Sequence, residues 1–208
     1  MVEYLSLLVA AGLTFARHVT GIIVRPYETY RKIVDRGSFG ELLYIGLLLV
    51  LYFALASVVK TAAFRPFLLT KQFVHLSLGA GFSFFVIVAT LWLVGTLMGG
   101  KGSPKGLLVA WAYTLVPTVL WFFSTSVLYV FLPPPRTTSF AGIAFSVLFL
   151  GFSTTLLFWK VMLAYLTLRF SLHMDLLRII GMTIVVGPFL AVYSYVMYRL
   201  GIFRVPFL

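Results

Sequence analysis

The sequence predicts an all-α, polytopic membrane helix bundle of about five transmembrane helices with an N-terminal interfacial helix, and three observations predict it. Of 208 residues, 62% are apolar and only 10% are charged, with a mean hydropathy of +1.08. A soluble fold of that composition would leave large apolar areas against water, so lipid is the expected solvent. The apolar residues also collect in five uncharged runs, each near the roughly 20 residues that cross a hydrocarbon core of about 30 Å. Finally, the runs are continuous and do not alternate with polar residues. Unpaired amides are too costly in hydrocarbon for anything but helices or closed barrels, and continuous runs select helices.

Two segments follow from this reading: residues 1–38 as an amphipathic, interfacial part on the cytoplasmic side, and residues 39–208 as a five-helix transmembrane domain. In the first, the apolar run from Leu5 to Ala16 is too short to span and is followed by Arg17 and His18. On a helix, Glu3, Ser6, Ala10, Thr14, Arg17 with His18, and Gly21 form a weakly polar stripe, with Leu5, Leu8, Val9, Leu13 and Ala16 opposite, which predicts a helix lying flat. The competing reading is a sixth, tilted span from Val2 to Val24 with Arg17 snorkelling. Arg25-Pro26 breaks this helix, and Glu28 to Arg36 reads as a short charged helix leading into the first span.

The five spans fall at about 39–59, 73–98, 106–132, 140–168 and 179–198. Lys60 ends the first. The second is closed by Gly99-Gly100-Lys101-Gly102-Ser103-Pro104, which cannot continue a helix cheaply. The third ends at Pro133-Pro134-Pro135-Arg136, where each proline removes an amide donor. Pro117 interrupts the third span and Pro188 the fifth, each freeing a carbonyl and permitting a kink. No room remains for a second folded domain, and no basic n-region or cleavage pattern suggests a removable signal peptide.

The net charge of +11 falls between apolar runs and forms no patch that would track phosphates. It is read as topology and contact with anionic lipids, and nucleic-acid binding is not expected. Arg17, Arg25, Arg31, Lys32, Arg36, Lys101, Lys105, Arg169 and Arg178 fall on one side of the five spans. Lys60, Arg65, Lys71, Arg136, Arg199 and Arg204 fall on the other, so the bias puts the N-terminus in the cytoplasm. The chain has no cysteine, which removes disulfides, thiolate catalysis and sulfur-ligated metals together. His18, His75 and His173 lie apart without metal-ligand spacing, and the five acids are too scattered for an acid/base pair. No phosphate-cradling glycine loop is present. No catalytic residue, metal site or cofactor is therefore expected, and the chain is read as not an enzyme.

Lys160 is the charge that calls for explanation, because a lysine inside a span costs about 2.5–3.5 kcal/mol on insertion scales. It lies about 13 Å along its helix from Arg169. Glu41 is the nearest candidate counter-charge, with Asp175 the other. The bland reading is snorkelling of the ammonium to the headgroups; the sharper one is a transport or coupling role. Tyr113, one turn before Pro117, is placed to satisfy a freed carbonyl of a neighbouring helix.

Three stretches carry a resemblance: Arg25-Pro26-Tyr27-Glu28-Thr29-Tyr30-Arg31-Lys32-Ile33, Gly99-Gly100-Lys101-Gly102-Ser103-Pro104-Lys105, and the tyrosine-to-proline segment Ala112-Tyr113-Thr114-Leu115-Val116-Pro117. They resemble the Yip family, the Ypt/Rab-interacting five-span membrane proteins, and single out Pro26, Glu28 and Thr29 as candidate positions beside Tyr113 and Pro117. The resemblance implies a cytoplasmic N-terminus and five clustered spans; eukaryotic members engage small GTPases and shape or traffic membranes. This chain lacks their long polar arm and Asp-Leu-Tyr-Gly-Pro-like segment, which argues against a small GTPase partner and for a prokaryotic-type relative in the plasma membrane. The expectation is a non-enzymatic scaffold or membrane-organising subunit whose partners are the bilayer, other membrane proteins or further copies of itself. Small residues at helix-contact spacing, Gly79 with Ser83 and Gly95 with Gly99, point the same way. The alternative is a small transporter or channel component using Lys160 and the Pro117 kink.

Overall fold

The computed structural model describes the backbone of residues 2–60, 66–131 and 139–202, and the side chains of these except 2–5, 56–60, 66–72, 129–131 and 141. Pro133, Pro134, Pro135, Arg136, Arg65 and Arg204 lie outside the described residues. Eight helices make up the described chain: α1 (Val2–Val24), α2 (Pro26–Arg36), α3 (Phe39–Lys60), α4 (Pro66–Leu97), α5 (Pro104–Tyr113), α6 (Leu115–Phe131), α7 (Phe140–Ser171) and α8 (Leu176–Arg199). The all-α membrane bundle that the composition predicts is the observed architecture.

Among the described residues, five helices are long and apolar enough to cross a membrane: Ser6–Val24, Phe73–Leu97, Pro104–Leu128, Gly142–Ser171 and Leu176–Arg199. The bent pair Pro26–Arg36 and Phe39–Leu55, which meet at 117°, adds a sixth if taken as one span. The first of these is the N-terminal helix: Arg17 and His18 are no helix breakers, and α1 runs on past Ala16 to Val24. It ends where predicted, at Arg25-Pro26: proline starts α2 at a position whose amide needs no partner.

Side-chain contacts fix the directions of the long helices. Ser83 of α4 bonds Tyr193 of α8 at 2.9 Å, and Met98 meets Gly181, so these two run antiparallel. Trp121 of α6 bonds Ser153 of α7 at 2.9 Å while Ala110 of α5 meets Thr167, which makes that pair antiparallel as well. Tyr52 stacks on Phe122 with centroids 4.3 Å apart, and Glu41 meets Tyr113, so α3 runs parallel to α5 and α6. The helices α3, α4, α5–α6, α7 and α8 therefore alternate, with the starts of α3, α5 and α8 and the ends of α4 and α7 at one end of the bundle.

The third span is the one that departs from a straight rod. Pro117 has no amide to give the Tyr113 carbonyl, and the helix is interrupted at Thr114, whose amide and hydroxyl both turn back to Trp111 at 3.0 and 2.7 Å. Pro188 is carried inside α8 without a break. The predicted glycine closure after the second span is also explained. Gly99 has φ +83°, and a Cβ on Gly102 would collide with the Ser171 carbonyl, so the loop lies directly on the end of α7. The Lys101 amide donates to the Leu172 carbonyl there at 2.9 Å, tying two loops of the same end together.

Candidate functional site

The most elaborate polar arrangement among the described residues is built around Glu41, which begins where the chain turns from α2 into α3. Ser38-Phe39-Gly40-Glu41 has the spacing of a capping box. Accordingly, the Ser38 amide donates to Glu41 Oε1 at 2.9 Å, and the Ser38 hydroxyl approaches the same oxygen at 3.3 Å. This places a carboxylate at a helix N-terminus, where the dipole and the free amides favour negative charge. The other oxygen, Oε2, faces two donors from distant elements. His18 Nδ1 of α1 lies 2.7 Å away, and the Tyr113 hydroxyl, from the last turn of α5, donates to it. The two donors are themselves 3.4 Å apart.

Aromatic rings close the node. Phe15 stacks on Tyr44 at 5.9 Å and leans on Tyr113 at 6.0 Å, while the Tyr44 hydroxyl donates to the Leu8 carbonyl at 2.6 Å. Glu41 and Tyr113 are fully buried, and the His18 side chain is 14% exposed. A charge this deep is held only when paired and hydrogen-bonded, and here both carboxylate oxygens are. The bonds join three elements through one carboxylate, so the arrangement is suited to fastening α1, α3 and α5 to one another.

The elbow between α1 and α2 is packed just as closely. Thr29 is buried; its hydroxyl donates to the Arg25 carbonyl at 2.8 Å, and a Cβ on Gly21 would come within 2.6 Å of it. Pro26 opens α2, and Tyr30 and Ile33 turn the buried face of that helix onto α5 and α7, where Tyr27 meets Phe170 at 4.8 Å. Burial pushes the Tyr30 phenol above its ordinary pKa. Glu28 is different. It is solvent-exposed and pairs with Arg25 at 3.8 Å, a surface pair of little energetic consequence.

Lys160 is not part of this node. The charge partner of Glu41 is His18, which corrects the expected pairing of Glu41 with Lys160. The Tyr113 hydroxyl goes to that carboxylate as well, where a freed carbonyl was expected. Lys160 instead lines a cavity of about 230 Å³ between α6 and α7, together with Pro117, Thr118, Trp121, Ser153, Leu156 and Leu157. Pro26 and Thr29 therefore converge on the α1–α2 elbow, Glu41 and Tyr113 on the buried node, and Pro117 and Lys160 on the cavity. Sequence reasoning missed His18 and Ser38. The Ser38-x-x-Glu41 box is the signal that could have found the second, but 23 residues separate His18 from Glu41 and nothing local links them. Among the described residues no group of three His, Cys, Asp or Glu is placed to hold a metal ion.

An all-α bundle of alternating apolar helices defines the class: a multi-pass integral membrane protein. The model of the Yip1 domain family matches residues 20–198. The chain belongs to that family, as its Arg25–Ile33, Gly99–Lys105 and Tyr113–Pro117 stretches suggested. No curated protein and no solved structure matches the chain.

Proposed function

We propose that the chain is a non-enzymatic membrane-organising subunit whose bundle holds two N-terminal helices flat on the cytoplasmic surface of one leaflet. The observation that carries this reading is the way α1 meets α3. Residues Leu8, Ala11, Gly12, Phe15 and His18 touch Gly40, Glu41 and Tyr44 of α3. About 15 Å of α1 is thus fastened to about 6 Å of α3, which is the contact of a helix crossing an end, not of one running alongside. Leu7, Leu8, Val9, Leu13, Ile23 and Val24 stay exposed for the acyl layer. Such a helix, about 35 Å long and 10 Å wide, adds about 350 Å² to a single leaflet, while the spans add area to both. That asymmetry favours curved membrane.

Orientation follows from charge: the end that bears α2 also carries Arg17, Arg25, Arg31, Lys32, Arg36, Lys101, Lys105, Arg169 and Arg178, which assigns it to the cytoplasm, facing anionic headgroups. The transporter reading has the Lys160 cavity in its favour. Yet its α7 lining, Ser153 to Lys160, extends about 10 Å along a core of roughly 30 Å, the reach of a side pocket and not of a passage.

Giant vesicles carrying the labelled full chain, with thin tethers pulled from them, test the proposal. The chain should concentrate in the tether at least twofold over the parent vesicle, and a variant with Leu7, Leu8, Val9 and Leu13 all changed to serine should distribute evenly. Even distribution of both chains, with solute flux through the reconstituted full chain, would move the assignment to transport.

A further inference from the structure

Away from the buried node, the cavity between α6 and α7 brings charge and open space together. Its walls come from two antiparallel helices, and the register set by the Trp121–Ser153 bond orders them. Trp121 and Ser153 lie at one level, while Pro117, Thr118 and Lys160 lie nearer the end that carries α2. The indole N–H is already given to the Ser153 hydroxyl, so that level is chemically quiet. The cavity is therefore polarised. An ammonium and the Thr118 hydroxyl stand toward the membrane surface, and Trp121, Leu156 and Leu157 stand toward the bilayer centre.

It also opens sideways. Leu157 is 59% exposed, and its neighbours Phe158 and Val161 on α7 are exposed as well, so this flank of the bundle faces lipid. Whatever enters does so from the acyl layer. Depth narrows the choice of occupant: Lys160 is about 16 Å along α7 from its end at Ser171, and Tyr27 of α2 meets α7 at Phe170, marking the headgroup level. A phosphodiester headgroup would have to be drawn far into hydrocarbon to reach that ammonium. A carboxylate is small, ends a chain directly and crosses apolar layers when protonated, so it reaches the site at lower cost.

We propose that the α6–α7 cavity is a binding site for a long-chain carboxylate, a free fatty acid. Lys160 and Thr118 hold its head, and its chain lies over Trp121 and Leu157. An ammonium carries three donors, so it can give a charge-assisted hydrogen bond to the carboxylate in a medium of low dielectric, while the chain stays against apolar side chains. Binding would make the lysine a sensor of free fatty acid in the surrounding leaflet, a property independent of the curvature reading above.

Trp121 reports on the site. In the full chain with Trp92, Trp111 and Trp159 changed to phenylalanine, held in phosphatidylcholine nanodiscs, 9,10-dibromostearate should quench Trp121 emission saturably. Lys160→Met should raise the half-quenching mole fraction at least tenfold, and Lys160→Arg should leave it within threefold. Acyl-brominated phosphatidylglycerol should quench no more than the phosphatidylcholine analogue. Quenching that rises linearly and to the same extent with Lys160 present or replaced by methionine, or saturation by phosphatidylglycerol, would overturn the assignment. Native mass spectrometry of the unaltered chain provides a reading free of substitution: retention of oleate but not oleyl alcohol supports the site, and equal retention overturns it.

Discussion

Replacing Glu41 with alanine removes one acceptor from four donor groups at once. The Ser38 amide, the Ser38 hydroxyl, His18 and Tyr113 all lose their partner in a place where water has little access. Breaking a buried pair by deleting one member costs about 3–5 kcal/mol, and the stranded helix-cap amide adds to the same loss. Glu41→Gln keeps the shape and one carbonyl oxygen for the Ser38 cap, but its NH2 group can only donate, to the Tyr113 oxygen or to an unprotonated His18 Nδ1, so its cost should be about 1–2 kcal/mol through loss of the two charge-assisted bonds. His18→Ala should cost about 2 kcal/mol, through the bond and the packing beside Tyr113. Because His18 and Glu41 share one bond, the double variant should be less destabilised than the sum by at least about 1 kcal/mol. Equilibrium unfolding in mixed micelles, followed by circular dichroism, measures all of these. Additivity within about 0.5 kcal/mol would show that the imidazole and carboxylate are neighbours without an energetic bond, and the latch would lose its basis.

Further outcomes follow from individual positions. Tyr30 places a buried hydroxyl with no hydrogen-bond partner among the described residues, the nearby Thr167 hydroxyl being given to the Leu163 carbonyl. Tyr30→Phe should therefore leave stability unchanged or raise it by up to about 1 kcal/mol in the same unfolding assay. Gly102→Ala puts a methyl group against the Ser171 carbonyl and should cost more than about 2 kcal/mol. Gly151→Ala, with open space around it in α7, should be neutral or stabilising by up to about 1 kcal/mol. Pro117→Ala returns an amide to the Tyr113 carbonyl and should close the break at Thr114, seen as slowed hydrogen exchange at residues 114–118 with the fold retained.

The parts of this molecule that were legible in its sequence are those written in local chemistry. Apolar runs bounded by Arg25-Pro26 and Gly99–Pro104 mark helices and their ends because length, charge and backbone breakers are properties of neighbouring residues. The interruption near Pro117 was legible for the same reason. What escaped was pairing across the bundle. Glu41 stood out as a charge at a span boundary, but the choice between Lys160 and His18 as its partner depends on which helices touch, and α1 crossing the start of α3 is decided by Gly12 and Gly40 admitting Tyr44 and Ala11 at close range. The end of α1 was legible as well, because Arg25-Pro26 is a local break. A single arginine at the rim of an exposed helix face breaks no backbone bond, and the helix runs on until Arg25-Pro26.

The central claim is that α1 lies along the membrane surface, latched to the bundle end, and depth measurement along that helix tests it most directly. The chain contains no cysteine, so spin labels can be introduced singly at each position from Leu7 to Val24 in the reconstituted protein and their immersion read by power saturation with oxygen and a nickel chelate. A flat helix predicts depths that oscillate about every 3.6 residues within about 10 Å, with Leu7 and Ile23 on the same side of the bilayer. A steady traverse of about 27 Å between Ser6 and Val24, passing through the bilayer midplane, would contradict the account.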